Sequence, residues 1–348
     1  MSTPCVSVLM SVYNGERHLE DAVESVLRQT FRNFELVIVD DGSTDSTPGI
    51  LASFAARDDR VVLVRNDCNL GLTRSLNRGL ALARGEYFAR QDADDVSLPE
   101  RLAYQVKLLD RRLEIGLVGT WTERIDGEGH SLGVRPMPTR PTHIRWQLIF
   151  ANPFVHSSVM FRRSLLEAAG AYNESLKYAQ DHELWVRYSY RALAANIPVP
   201  LVKFRRHDES ISSREGKQQW AIHEETTQRN VERLMGKAIS MEQIRSLPTL
   251  VLLSSTSLTV DQMKQSASFL VELRKAFRQY WRPSFIESLP VGLDSARRLV
   301  RLAARARVTD RATAMAMLRS AVLADPRIIA TRPFLRCLGR SVWVGLPV

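Results

Sequence analysis

The sequence predicts an α/β fold, a mostly parallel sheet with helices on both faces, followed by an α-helical C-terminal region. Three observations carry this. Short β-branched runs alternate with stretches of helical period up to about residue 210, the order that builds parallel sheets. Two of those runs end in carboxylates, Val37-Ile38-Val39-Asp40-Asp41 and Arg90-Gln91-Asp92-Ala93-Asp94-Asp95. Open α/β sheets place ligands at the carboxyl ends of their strands. Beyond about residue 213 the pattern is helical, with no further strand-plus-carboxylate unit.

The elements follow in order. Val6 to Tyr13 reads as the first strand, broken by Asn14-Gly15. Leu19, Ala22, Val23, Val26 and Leu27 then form one helical face. Phe34 to Val39 is the second strand. Ser46 or Thr47 caps the next helix, with Pro48 in its first turn. Val61 to Val64 is a third strand, and the stripe Leu72, Ser75, Leu76, Gly79, Leu80, Ala83 is a helix closed by Gly85. Glu86 to Arg90 leads into the second acidic cluster. A helix is expected from beyond Pro99 to about Arg111, then a strand from Ile115 to Thr120 and a loop or hairpin over 126–141. Val155 to Phe161 reads as a strand, Asp181 opens a helix through Leu184, Trp185 and Tyr188, and Val199 to Phe204 is the last strand. A boundary near 215 gives two domains, 1–214 and 215–348.

Composition bounds the function. The 348 residues are 45% hydrophobic and 25% charged, ordinary for a globular protein. Cys5, Cys68 and Cys337 lack metal-site spacing and suit free thiols in a reducing compartment. No signal peptide and no run of the roughly 20 apolar residues that cross a bilayer are read, so a cytoplasmic protein is expected. The net charge of +10 calls for an anionic partner. It is unevenly placed: residues 289–348 hold eleven Arg, no Lys and three Asp, a balance of +8, which leaves about +2 for the rest. Two carboxylate clusters on one sheet are costly by themselves, because like charges raise each other's pKa. A divalent cation with a bound phosphate ester resolves that conflict.

Five segments stand in a telling order: Val6 to Asn14, Asp40-Asp41-Gly42-Ser43-Thr44-Asp45, Asn69-Leu70-Gly71-Leu72, Asp92-Ala93-Asp94-Asp95 and Gln180-Asp181-His182-Glu183-Leu184-Trp185. Together they resemble the family 2 inverting glycosyltransferases of the GT-A fold, over about residues 4 to 210. Many members have Glu-Asp where this chain has Gln180-Asp181, but it is the Asp that matters there. The resemblance implies a nucleotide-sugar donor (UDP- or dTDP-linked in preference), a glycan or lipid-linked saccharide acceptor, inversion at the anomeric carbon, and Mn²⁺ or Mg²⁺.

Roles are carried over residue by residue. Asp94 is the first choice for metal ligation, and Asp92, two along an extended segment, supports the ribose or the metal. Asp95 is read as a cap for the helix before Pro99. Asp41 would accept the imide N–H of uracil or thymine. Tyr13 would stack on the base and Arg74 would reach the base or diphosphate, with core or surface readings open for both. Asp181 is the general base, a role compatible with capping its helix. His156 and Ser157 are candidates for the acceptor pocket, and Arg206 and His207 for the diphosphate. Trp185 would stack on a sugar ring or belong to the core.

The tail has two readings. Leu299, Leu302, Ala303 and Ala306 alternate with arginines, and 334–345 is apolar with Arg336 and Arg340 between. A basic amphipathic helix of this kind suits an anionic membrane surface, which would place the protein at the inner membrane face. The alternative is an ordinary helical domain with a solvated Arg face. Two other functions are weighed. A sugar-phosphate nucleotidyltransferase would want a Gly- and basic-rich phosphate loop near the N-terminus, which is absent. Nucleic-acid binding through the tail lacks interleaved aromatics and a recognised module, so no nucleic acid is expected.

Overall fold

The computed structural model describes residues 3–206, 216–247, 259–307 and 310–342. Its sheet is built outward from β1 (Val6–Val12), which pairs in parallel with β2 (Phe34–Asp40) and β4 (Tyr87–Asp92); β3 (Val61–Arg65) extends the parallel side beyond β2. Every residue of β1 and β2 is buried, which is why both read as nearly unbroken apolar runs. Val6, Val8, Met10 and Val12 point to one face and meet α1 (Leu19–Leu27), α2 (Thr47–Arg57) and α4 (Arg101–Arg111). Leu9, Val37 and Val39 point to the other, where α3 (Leu72–Leu82) brings Gly79 against them. Covering both faces is what a parallel sheet requires.

The remaining strands complete a mixed sheet in the order β3-β2-β1-β4-β8-β6-β9-β5, with β7 paired to β6. They are β5 (Val96–Ser97), β6 (Ile115–Ile125), β7 (Ser131–Arg135), β8 (Met160–Arg162) and β9 (Leu193–Arg205). The loop or hairpin expected over 126–141 is the β6–β7 hairpin, entered by a strand five residues longer than anticipated. The strand expected from Val155 to Phe161 is corrected: His156–Ser158 is a 3₁₀ turn, and the sheet pairing begins only at β8. Ser158 is the cause, since its N–H and hydroxyl both donate to the Val155 carbonyl, at 2.9 and 2.7 Å, and so take the place of a ladder partner. β9 begins six residues before Val199. Its prolines, Pro198 and Pro200, fall at a register irregularity against β6 rather than ending the strand. The helices α5 (Pro141–Gln147), α6 (Arg163–Ala169) and α7 (Gln180–Ser189) lie between β7 and β9 in the chain.

The chain divides into two compact units. One holds the residues through Ile144 and Asn152–His223; the other holds Arg145–Ala151 and the residues from Glu224 on. The boundary expected at 214/215 falls outside the described residues, and the division lies within α8 (Gly216–Met235). The second unit is helical: α9 (Met241–Arg245), α10 (Val260–Trp281), α11 (Phe285–Ala306), α12 (Arg311–Ala324) and α13 (Arg332–Val342). Capping boxes start three of these, at Ser240/Gln243, Thr259/Gln262 and Ser284/Glu287.

The 299–306 stripe of the tail is packed rather than exposed. Leu299, Leu302, Ala303 and Ala306 are buried, in a core shared with Leu270, Phe277, Met317 and Phe334. The stripe has the period of a membrane-surface helix because it faces other helices, and period alone does not distinguish the two. Trp343 and Val344 lie outside the described residues. Among those described, no helix is long and apolar enough to cross a membrane.

Candidate active site

Building the site starts where β1 and β2 end. Tyr13, the first residue past β1, is 48% exposed. Asn14, in the left-handed region at φ 50°, donates its N–H to Ser43 Oγ at 3.0 Å and accepts Thr44 N–H at 2.9 Å. Gly42, at φ 75°, lets the chain pass the backbone of Cys68, which a Cβ would approach to 2.7 Å. Asp41 is buried and accepts three N–H groups: Asn66 Nδ2 at 2.6 Å, Leu70 N at 2.9 Å and Gly71 N at 2.9 Å. It therefore orders the 66–71 loop. Arg74, on α3, is more than half exposed and faces Glu174 at 3.9 Å rather than the cleft described below.

The turn after β4 separates three carboxylates. Asp92 pairs with the buried Arg90 and accepts the Ser157 hydroxyl at 2.5 Å. Burial pushes its carboxyl up, but Arg90, His156 and Ser157 outweigh that and hold it below the ordinary range. Asp94 lines the cleft, and its carbonyl accepts Arg205 Nε at 2.9 Å. Asp95 is not the expected helix cap. Its side chain is fully buried, its Oδ1 accepts Arg205 N–H at 2.7 Å, and α4 starts six residues later. Burial, then the charges of Asp94 and Asp92, push its carboxyl well above the usual range. Ser157 is corrected from pocket lining to support: it is completely buried and holds Asp92.

Asp181 reaches the cleft through a strained entry to α7. Ala179 stands in the left-handed region at φ 51°, uncommon for a residue with a Cβ, and turns the chain so that Gln180 and Asp181 open the helix at the cleft wall. Asp181 Oδ2 accepts Asn152 Nδ2 at 2.7 Å and Oδ1 accepts His182 N–H at 2.8 Å. Burial raises its carboxyl above the ordinary value, and the charge of Asp92 adds to this. His156 lines the same cleft and bonds the Tyr172 hydroxyl at 2.8 Å. Burial, with Arg90, pushes its imidazole down to about 3, so it is a neutral hydrogen-bonding group. Trp185 is corrected. It is fully buried, packed edge-on or tilted against Phe154, His156, Phe161, Tyr172 and Tyr188, and offers no face to a sugar.

One cleft of about 280 Å³ thus brings together Asp92, Asp94, His156 and Asp181. Sequence reasoning missed Arg135, Lys177 and Arg205, which also line it. Arg205 had a signal, its place at the end of the last strand, but nothing in its spacing set it apart from Arg206. Arg206 is exposed just past β9, and His207 lies outside the described residues. Hard oxygen donors at Asp92 and Asp94 fit Mg²⁺ or Mn²⁺. A second group with close ligand atoms, Asp126, Glu128 and His130, sits in the β6–β7 turn, where Asp126 already bonds the His130 ring and the turn's own N–H groups.

Comparison with known proteins bears on the family and the fold. Residues 7–170 match the model of the family described as glycosyl transferase family 2. The putative glycosyltransferase EpsE of Bacillus subtilis is 36% identical over 217 residues, covering 61% of this chain and 77% of that protein. The amylovoran biosynthesis glycosyltransferase AmsE of Erwinia amylovora is 34% identical over 213 residues, covering 60% and 79%. Among solved structures, S. aureus TarS 1-349 in complex with UDP-GlcNAc superimposes with a TM-score of 0.57 at 18% identity, covering 92% of this chain and 91% of that one. The fold is shared across that match.

Proposed function

Since this chain belongs to glycosyl transferase family 2 and is a glycosyltransferase, we propose that it moves a sugar from a nucleoside-diphosphate donor to a hydroxyl of a glycan or lipid-linked saccharide, with inversion. The observation that carries this is the convergence of Asp92, Asp94 and Asp181 on one cleft. Asp181 takes the acceptor proton as the hydroxyl oxygen bonds to C1. The C1–O bond to the diphosphate breaks, and its electron pair leaves with the diphosphate. Attack from the face opposite the leaving group inverts C1. The carboxyl of Asp181, raised by burial, suits a base because a stronger proton acceptor gives more driving force for the transfer.

Asp94, with Asp92 beside it, would hold a divalent cation, which would supply the Lewis acidity that offsets charge on the leaving diphosphate. Asp92 is pinned by Arg90 and Ser157 and so orients its neighbour. The uracil or thymine base would bind by Tyr13 and the 66–71 loop, with Asp41, already accepting three N–H groups of that loop, acting to order it rather than to meet the base. A relative named for amylovoran biosynthesis supports a saccharide acceptor. Nucleotidyl transfer finds no support in the family match.

The experiment is a thermal-shift screen of UDP-, dTDP- and GDP-sugars with and without Mn²⁺. A ligand of the native state alone adds about 2.7 kcal/mol of stability at a hundredfold excess over its Kd. A metal-dependent rise in Tm with a UDP- or dTDP-sugar is expected. No shift with any donor overturns the reading. Retention rather than inversion in the isolated product overturns the mechanism.

A further inference from the structure

Three arginines with no part in the scheme above gather at one side of the cleft, which Arg135 lines. In the β6–β7 pair Arg135 stands opposite Thr122, so both side chains leave the sheet on one face. Arg124 lies two residues along β6, on that same face. Across β6 it is matched in parallel with Phe204 of β9. Arg206 follows Phe204 by two, held in register by its N–H donating to the Ile125 carbonyl at 2.9 Å. Phe204 and Arg135 line the cleft, so this face is the cleft's wall.

Three like charges side by side are unfavourable unless something compensates them. Among the described residues no carboxylate forms an ion pair with any of the three. Glu123, next to Arg124 in the chain, leaves β6 on the opposite face, and other acids around the hairpin and the β4 turn are engaged: Glu128 with Arg17, Asp126 with His130, and Asp95 with the Arg205 N–H. Arg124 Nε is buried with no hydrogen-bond partner, the arrangement of a donor built for a ligand. Shielding from solvent and then the charges of Arg124 and Arg206 hold the Arg135 guanidinium below its usual range. Lys177 adds a further cation to the same cleft.

We propose that Arg124, Arg135 and Arg206 form an anion subsite for the acceptor, so that the saccharide presented to Asp181 carries a phosphate group docked on these three side chains. The planar fork of a guanidinium matches phosphate oxygens two at a time, and three forks suit a dianion. The inference rests on the donor reading above. The nucleoside end of a donor belongs to the β1 and β2 ends, by Tyr13 and Asp41, whereas the arginines come from β6, β7 and β9 at the other side of the cleft, where Asp181 also stands.

The test is calorimetric titration of inorganic phosphate into full-length protein saturated with UDP and Mn²⁺, for wild type, R135Q and R124Q/R206Q. UDP affinity is measured in parallel, and Tm shows that each variant is folded. Arg135, the last residue of hairpin strand β7, provides the variant least able to disturb folding. The expected result is phosphate binding to the UDP-bound wild type, weakened at least tenfold in both variants, with UDP affinity changed less than twofold. If phosphate competes with UDP, or the variants lose UDP in parallel, the arginines serve the donor and the proposal fails. It fails equally if phosphate binding is the same in all three proteins. Absence of UDP binding to wild type counts against the donor reading, and the phosphate arm is then read on the unliganded protein by the same criteria.

Discussion

Asp181→Asn separates the base from the scaffold. Both oxygens of Asp181 accept N–H groups, from Asn152 at 2.7 Å and from His182 at 2.8 Å. An Asn can satisfy the His182 N–H, but it then turns an NH₂ toward the Asn152 amide. Asn152 cannot flip without cost, since its Oδ1 accepts the Phe154 N–H at 3.1 Å. One hydrogen bond left unmade costs about 1–3 kcal/mol. Against this, Asn carries no charge to desolvate, and burial is the main reason the Asp181 carboxyl is raised. The two effects oppose each other, so Tm should move by only a few degrees. The chemical effect is larger. Losing a general base costs roughly 10²- to 10⁴-fold in rate, about 2.7–5.4 kcal/mol of barrier. Release of nucleoside diphosphate, with water or a saccharide as acceptor, measures turnover, and calorimetry measures donor affinity. The pH profile adds a second readout. As pH falls through the raised pKa, Asp181 gains a proton and turnover drops, so the wild-type acid limb should lie above the ordinary aspartate value. The variant should lack that limb. Turnover within about threefold of wild type, with the limb retained, would refute the assignment.

Three further outcomes follow from the structure. Asp94→Ala should abolish the part of donor affinity that depends on Mn²⁺ while leaving Tm of the unliganded protein nearly unchanged, and titration with and without the metal checks this. Trp185→Ala should cost about 3–5 kcal/mol in urea unfolding, because a fully buried ring is lost from an aromatic cluster; Trp185→Phe should cost less, since the Nε1 of Trp185 has no partner to lose. Asp294→Ala should destabilise the helical unit by about 3–5 kcal/mol, read by thermal unfolding. Asp294 accepts Trp146 Nε1 at 2.8 Å and Gln147 Nε2 at 3.0 Å and pairs with the buried Arg298 at 2.6 Å, so its removal strands that guanidinium.

The parallel strands were legible because burial on both faces writes itself as unbroken β-branched runs, as in Val37-Ile38-Val39. Asp92, Asp94 and Asp181 were legible because they sit in motifs at strand or helix ends. What the sequence hid is of another kind. Trp185 at helical spacing is compatible with core or sugar contact, and only its neighbours from β8 and the loop around Tyr172 decide it. Ser157 looked like a pocket residue, but the 3₁₀ turn aims it inward at Asp92. The tail's stripe was open to two readings because an amphipathic helix has the same period against a membrane and against α10 and α12. The arginine wall could not be read at all. Arg124, Arg135 and Arg206 are up to 82 positions apart, and the hairpin and the β6–β9 register alone make them neighbours.

The acidic turn at β4 shows how the fold resolves a conflict that the sequence only poses. Asp92, Asp94 and Asp95 fall within four residues, and equal ionisation of all three would be costly. Each has a different environment. Asp92 pairs with the buried Arg90 and is held low; Asp95 is fully buried, and burial with the charges of Asp94 and Asp92 pushes it toward holding its proton. Environments that drive neighbouring carboxyls apart divide the labour among them. Beneath the turn, Arg101 is completely buried and donates to the Arg90 carbonyl at 2.7 Å, to Gln91 Oε1 at 2.9 Å and to Ser97 Oγ at 2.9 Å. Burial pushes its guanidinium down to about 9, the mark of a charge kept inside at a cost. Well-packed apolar residues would stabilise such a position as much or more. They would not fix both edges of a strand end by hydrogen bonds. With Arg101 beneath and Ser157 beside it, the end of β4 is a rigid mount. In the proposed reaction, where Asp94 and Asp181 stand in fixed relation to a reacting C1, that rigidity counts for more than the last increment of stability.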